Sequence, residues 1–226
     1  MLVTRLLKVA LLGSEWVMWL LLGLSVISFA FMAERFLYFV QRRGDTDTLG
    51  DRLASLLESN DTDGAEKLLV ESRTIEAQVL LGALHWFKSG ADAFSDAVES
   101  QLGKRKKDLE RGLGFLGTLG SNAPFIGLFG TVIGVIGAFT QLSKGASSGA
   151  GKAAMDNVIG LIGESLVATG VGLFVAIPAV VGYNLVQARI ASIETNVGAM
   201  TKQICAILKS PPTDRTSAPR ELEAAE

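Results

Sequence analysis

The sequence is poor in the residues that build enzyme sites and secreted scaffolds. Its 226 residues include one cysteine, one histidine and five prolines, and only 19% of them are charged. A single cysteine excludes a disulfide scaffold, and a net charge of −2 gives no basic footprint for nucleic acid. Because a soluble domain of this length carries about a quarter charged residues, the low charge also excludes an ordinary soluble globule.

The few charges are unevenly placed. Positions 41–111 hold 25 of the 44 charged residues, and 16 of the 25 glycines lie between Gly103 and Gly172. The rest of the chain is therefore very apolar, with 49% hydrophobic residues overall. This partition predicts an all-α integral membrane protein with one soluble insertion.

Three stretches are long and apolar enough to cross a bilayer, which takes about 20 helical residues. They are 16–33, 112–142 and 157–188, and Glu164 is the one charge within them. A cleaved signal peptide is the alternative for the first stretch, but the apolar run is too long and no cleavage site follows. The last two exceed the bilayer thickness, so we expect them to extend beyond it on the side of the insertion.

The predicted organisation follows from these stretches. It comprises an amphipathic helix at 1–13, spans at 14–40, 112–142 and 157–190, a helical cytoplasmic insertion at 41–111, a periplasmic loop at 143–156, a cytoplasmic helix extension at 191–209 and a disordered tail at 210–226.

Basic residues near the span ends predict the orientation. Arg42 and Arg43 follow the first span, and five basic residues within 104–111 precede the second. The loop at 143–156 has only two lysines, whereas Arg5 and Lys8 oppose this assignment. The larger number of these basic residues places the insertion and the C-terminus in the cytoplasm and the N-terminus in the periplasm.

Glu164 is the main candidate functional residue. A charged carboxylate at the centre of a membrane helix costs about 2.5 kcal/mol or more, so its presence suggests a function. The alternative is a solvated, structural carboxylate at the membrane edge. Thr131 and Thr169 are further polar candidates, although an isolated membrane threonine usually bonds a carbonyl of its own helix.

Small residues and prolines recur in the last two spans. The glycines predict close helix packing, either within one chain or around a pore, and the prolines predict bends. The residues assigned to packing and bending are Gly120, Gly127, Gly130, Gly134, Gly137, Gly172, Pro124 and Pro178.

No enzyme site is predicted. His85 lies in the insertion and is interpreted as a packed or surface residue, and the GxGxxG spelling at 112–117 lacks a strand–helix context. We therefore expect no catalytic residues, no metal and no cofactor.

Two segments carry a family resemblance. Residues 123–134, APFIGLFGTVIG, and 162–184, IGESLVATGVGLFVAIPAVVGYN, resemble the second-span and third-span signatures of the MotA/TolQ/ExbB proton-channel family. The three-span topology resembles its TolQ/ExbB branch, which includes gliding-motor homologues. The resemblance implies that Glu164 matches the family glutamate, and that Thr131 and Thr169 match its pore-lining threonines. Ser165, where many members have alanine, is expected to make the pore slightly more polar.

The resemblance also implies partners and a mechanism. It implies an inner-membrane homopentamer around a single-span, dimeric ExbD/TolR-type partner, with a TonB/TolA-type or gliding-machinery protein as a further partner. Proton flow would then drive partner movement for outer-membrane transport, envelope integrity or gliding. The alternative is a non-conducting membrane scaffold, and a secondary transporter is disfavoured because the sequence shows no inverted repeat.

Overall fold

The computed structural model describes residues 15–148 and 151–209, and every regular element in these ranges is helical. The α-helices are α1 (Glu15–Gln41), α2 (Thr46–Glu58), α3 (Thr62–Glu71), α4 (Ile75–Ala83), α5 (Ala91–Leu109), α6 (Leu113–Ser148) and α7 (Gly151–Lys209), with a 3-10 helix at Leu84–Ser89. The predicted amphipathic helix at 1–13 and the predicted tail at 210–226 lie outside the described residues.

Three helices are long and apolar enough to cross a membrane, as predicted. The qualifying segments are Glu15–Gln41, Leu113–Gly145 and Met155–Lys209. At about 1.5 Å per residue, α6 is about 54 Å long and α7 about 88 Å, so both exceed a hydrocarbon core of about 30 Å. The all-α architecture with three membrane-crossing helices is therefore confirmed for the described part of the chain.

The chain divides into two compact units. Among the described residues, the first comprises 15–35, 112–148 and 151–186, and the second comprises 36–111 and 187–209. In the first unit, α1, α6 and α7 share a core of aliphatic and small side chains. Its members are Val17, Leu21, Leu116, Leu119, Ala123, Ile133, Val175, Ala176 and Ala179.

The second unit contains the short helices α2–α5 and the last part of α7. Leucine, alanine and phenylalanine side chains form the buried faces of the short helices, and Leu53, Leu69, Leu80 and Phe94 are fully buried. At the start of α3, the Asp61 carboxylate caps the helix by accepting a hydrogen bond from the Gly64 amide at 2.8 Å. Within α7, Ile193 and Ile204 are buried in this unit.

The region assigned to a loop at 143–156 is mostly helical. Helix α6 continues to Ser148 and α7 begins at Gly151. Residues 152–155, KAAM, have good intrinsic helix propensity, which is consistent with the start of α7 before the apolar stretch. The extension at 191–209 is continuous with the third span in α7.

Candidate functional site

Helices α6 and α7 approach each other closely where two glycines face each other. A Cβ built on Gly127 would lie 2.9 Å from the Ala168 carbonyl oxygen and 3.2 Å from the Gly172 Cα. A Cβ on Gly172 would lie 2.7 Å from the Ala123 carbonyl oxygen. Since real Cβ atoms do not approach backbone this closely, both positions require glycine for the two helices to keep this separation.

The other predicted glycines differ in how tightly they pack. A Cβ on Gly130 would lie 2.9 Å from the Ala168 Cβ, and a Cβ on Gly134 would overlap the Ser165 side chain. Gly137 has room, because its nearest atom would be a Leu161 methyl at 3.9 Å. The glycine face thus packs against α7 of the same chain at Gly120, which faces Val180, and at Gly127, Gly130 and Gly134.

The two candidate threonines bond differently. The Thr131 hydroxyl donates to the Leu128 carbonyl of its own helix at 2.7 Å. The Thr169 hydroxyl instead donates across the helix pair to the Gly127 carbonyl at 3.0 Å. In a regular α-helix the Gly127 carbonyl also accepts the Thr131 amide. One carbonyl therefore connects the backbone of Thr131 with the hydroxyl of Thr169.

Glu164 is half-buried at one end of the three-helix core. It lies on α7 in line with Val171 and Val175, seven and eleven residues later, and both of these pack in the core. Exposed apolar side chains flank it on both sides along α7, with Ile159 before it and Leu166 after it. Its carboxylate is therefore positioned within an apolar stretch of the helix surface.

The three candidate residues do not share one face of the chain. Thr169 is directed at α6, whereas Glu164, five residues earlier, lies about 140° around α7 by α-helix geometry. Ser165 is 1% exposed, and its hydroxyl donates to the Ile162 carbonyl at 2.8 Å. The expected effect of Ser165 on a pore surface is therefore not supported within one chain, because its side chain packs against α6.

The two prolines lie inside continuous helices. Pro124 is in α6 and Pro178 is in α7. Each proline lacks an amide hydrogen, so the regular helix leaves the carbonyls of Gly120 and Phe174 without their usual donor. The carbonyls of Gly120 and Phe174 therefore lie in the same membrane helices as the closely packed glycines.

Two buried charged residues, Arg35 and Glu76, were not singled out from the sequence, and Glu76 in α4 is 0% exposed. Arg35 in α1 is 2% exposed and its guanidinium contacts the Glu34 carboxylate at 2.7 Å. In the sequence, Arg35 is marked by the adjacent opposite charge of Glu34 within an otherwise apolar stretch. Among residues 15–148 and 151–209, the structure contains no His/Cys/Asp/Glu cluster that could hold a metal ion.

Comparison with known proteins agrees with this arrangement. The model of the MotA/TolQ/ExbB proton channel family matches residues 71–198, which include α6, most of α7 and all three candidate residues. The chain belongs to the MotA/TolQ/ExbB proton channel family. Together with the three apolar helices, this family membership makes it a multi-pass membrane protein.

Within this family, the chain is similar to both TolQ and ExbB proteins. It is 32% identical to the Tol-Pal system protein TolQ of Haemophilus influenzae over 84% of this chain and 86% of that protein. It is 31% identical to the biopolymer transport protein ExbB of Pseudomonas putida over 84% of this chain and 54% of that protein. A shorter match, 43% identical, covers 39% of this chain and 33% of the ExbB of Xanthomonas campestris pv. campestris. These relatives support the TolQ/ExbB branch of the family.

Proposed function

We propose that this chain is a proton-conducting stator subunit of an inner-membrane motor driven by the proton-motive force. It surrounds an ExbD/TolR-type partner and transmits energy to the cell envelope. A TolQ is matched over most of both chains, which favours a Tol-Pal-type role in envelope integrity over outer-membrane uptake or gliding. The observation that carries the proposal is the half-buried Glu164 between exposed apolar side chains.

The energy of proton movement matches the cost of this carboxylate. Holding an ionised side chain near the middle of a membrane helix costs about 2.5–3.5 kcal/mol. A charge crossing 100 mV of membrane potential supplies about 2.3 kcal/mol. Because the two quantities are similar, an ordinary membrane potential is large enough to move a charge past a carboxylate held inside a membrane.

The positions of the polar groups favour an assembly over a single chain. Glu164 and Thr169 are on different sides of α7, and large apolar side chains such as Phe125, Phe139 and Phe174 are more than 60% exposed. Such surfaces need lipid or another protein. A homopentameric ring would cover part of them and would enclose the partner helices, with Thr131 and Thr169 still able to accept hydrogen bonds from water through their free lone pairs.

The decisive experiment replaces the carboxylate while keeping its size. We expect Glu164→Gln in the complex purified with its native partner to abolish proton conduction in vesicles, measured with an internal pH-sensitive dye. Glu164→Asp should retain part of the conduction because it keeps an ionisable group. Glu99→Gln, on the exposed face of α5, is the matched control and should conduct normally.

The scaffold alternative makes the opposite prediction. If the chain only holds its partner, Glu164→Gln should alter activity solely through assembly, which size-exclusion chromatography of the complex measures. A Glu164→Gln complex that assembles normally and still conducts protons at the wild-type rate would refute the proton-channel proposal.

A further inference from the structure

The junction between α5 and α6 carries the densest run of positive charge in the described chain. Residues 104–111 contain five basic and two acidic residues, immediately before α6 begins at Leu113. We propose that this basic segment binds the phosphate headgroups of anionic phospholipids in the membrane that the chain crosses. The proposal does not depend on proton conduction at Glu164.

Lys104, Lys106 and Lys107 are all exposed, but among them only Lys106 forms an ion pair with another described residue. Lys106 contacts the Glu194 carboxylate of α7 at 2.9 Å. In a regular helix Lys104 and Lys107 are about 60° apart, and Lys104 is about 160° from Lys106. Lys104 and Lys107 are exposed, as is Arg111 beyond the helix end. None of these three forms an ion pair with another described residue.

A contact within the first unit sets the depth of the junction. Gly112 has a φ of 78°, and a Cβ built there would lie 2.6 Å from a Phe31 ring carbon of α1. The turn is thus level with Phe31. Helix α1 continues with exposed Phe36, Leu37 and Val40, the last about 13 Å further along its axis.

The basic segment ends beside this turn, because Arg111 directly precedes Gly112. Helix α6 begins at Leu113, so Arg111 lies two residues before an apolar helix that is long enough to cross the membrane. Lysine and arginine in such positions extend their charged ends to the headgroup layer. Phosphate groups of anionic lipids are the negative charges available there.

The end of α1 supplies a second basic site with an interfacial aromatic residue. The Arg42 guanidinium lies 3.9 Å from the centre of the Tyr38 ring, and Arg43 is exposed. Tyrosine is enriched at membrane–water interfaces. Arginine or lysine residues therefore lie at both ends of the insertion, where it joins the membrane-crossing helices. Binding to headgroups requires basic residues at these places.

The test is lipid selectivity of the full-length chain. The purified protein is equilibrated in neutral-detergent micelles containing equal amounts of phosphatidylglycerol and phosphatidylcholine, and the lipids that remain bound after gel filtration are measured by mass spectrometry. We expect phosphatidylglycerol to be enriched over its share of the micelles, and the enrichment to fall as sodium chloride is raised.

Variants assign the selectivity to the segment. Lys104→Gln, Lys107→Gln and Arg111→Gln combined should reduce the enrichment, by up to about fivefold for each charge removed. Arg52→Gln, Lys67→Gln and Lys88→Gln combined remove the same charge from exposed positions elsewhere in the insertion and should leave it unchanged. Lys104→Arg with Lys107→Arg should retain it, which separates a loss of binding from a loss of folding.

Three results would overturn the proposal. One is equal retention of the two lipids by the unmodified chain, and another is an equal loss in the control triple variant. The third is displacement of phosphatidylglycerol by inorganic phosphate at the same concentration, which would indicate a site for free phosphate. If the glutamine triple variant fails to fold, the salt dependence of the unmodified chain still decides between headgroup binding and no binding.

Discussion

At the scale of single residues, the two candidate threonines have different structural roles despite similar surroundings in the sequence. Thr169 connects α7 to α6 through the Gly127 carbonyl, whereas Thr131 bonds within α6. A hydroxyl that bonds across two helices contributes to their association, and such bonds in membrane proteins are worth about 0.6 kcal/mol on average. Thr169 therefore contributes to helix packing in addition to any role in conduction.

Replacing each threonine by valine should separate these roles. We expect Thr169→Val to lower the free energy of unfolding by about 0.6 kcal/mol, because it removes the bond between helices. Thr131→Val should have a smaller effect, since only a bond within one helix is lost. Unfolding in mixed micelles with increasing dodecyl sulfate measures both. Thr169→Ser keeps the hydroxyl and should be as stable as the unmodified chain. Equal losses of stability for the two valine variants would contradict this assignment.

At the scale of elements, the crossing of α6 and α7 depends on contacts between backbones. The positions opposite Gly127 and Gly172 are carbonyl oxygens and Cα atoms, which cannot move aside as a flexible side chain can. The glycine face consequently determines the distance between the two helices that carry Thr131, Glu164 and Thr169.

Adding one methyl group should show this requirement. Gly127→Ala forces the helices apart, and we expect a loss of about 1–3 kcal/mol in unfolding free energy, as for other overpacked sites. Gly170→Ala, where a Cβ meets nothing within 4 Å, should be neutral or stabilising in the same dodecyl sulfate titration. Equal stability of the two variants would show that the close crossing is absent in the membrane.

The contact between α5 and α7 should be visible in the chemistry of Lys106. The Glu194 carboxylate accepts a hydrogen bond from Lys106 and attracts its charge, which raises the pKa of that amine above its usual 10.5. A raised lysine pKa stabilises the fold at all pH values below the unfolded pKa, and this contribution is lost only as the pH rises through the folded value.

The measurable consequence is reduced nucleophilicity at mildly alkaline pH. We expect Lys106 to react more slowly than Lys107 with an amine-directed acetylating reagent, as followed by peptide mass spectrometry of the intact protein in neutral detergent. Glu194→Gln should raise the rate at Lys106 and leave Lys107 unchanged. A Lys106 rate insensitive to Glu194→Gln would contradict the ion pair.

At the scale of the whole molecule, the distribution of basic residues predicts which side each segment faces. With Cys205, the only cysteine, replaced by serine, Ser89→Cys in the insertion should react with a membrane-impermeant maleimide only after permeabilisation. Asp156→Cys near the start of α7 should react in intact spheroplasts. The reverse labelling pattern would show that the chain has the opposite orientation in the membrane.

Composition and periodicity were sufficient for the large-scale predictions. The apolar stretches at 112–142 and 157–188 predicted two helices that exceed the bilayer, and α6 and α7 agree. The extent of helix at 143–156 was missed because charge marks the end of a span in the sequence, whereas a helix ends only where its backbone bonding stops. The buried Arg35 was missed because adjacent opposite charges also occur on exposed helix faces.

The sequence alone determined the class of this protein, its three membrane-crossing helices and its family, because hydrophobic length and the two signature segments are local properties of the chain. The tertiary structure decided which glycines touch α7, that Thr169 bonds to Gly127 while Thr131 does not, and that Gly112 is level with Phe31. These facts depend on the rotation and register of one helix against another. Side-chain fit between distant segments sets both quantities, and neither can be read from one segment by itself.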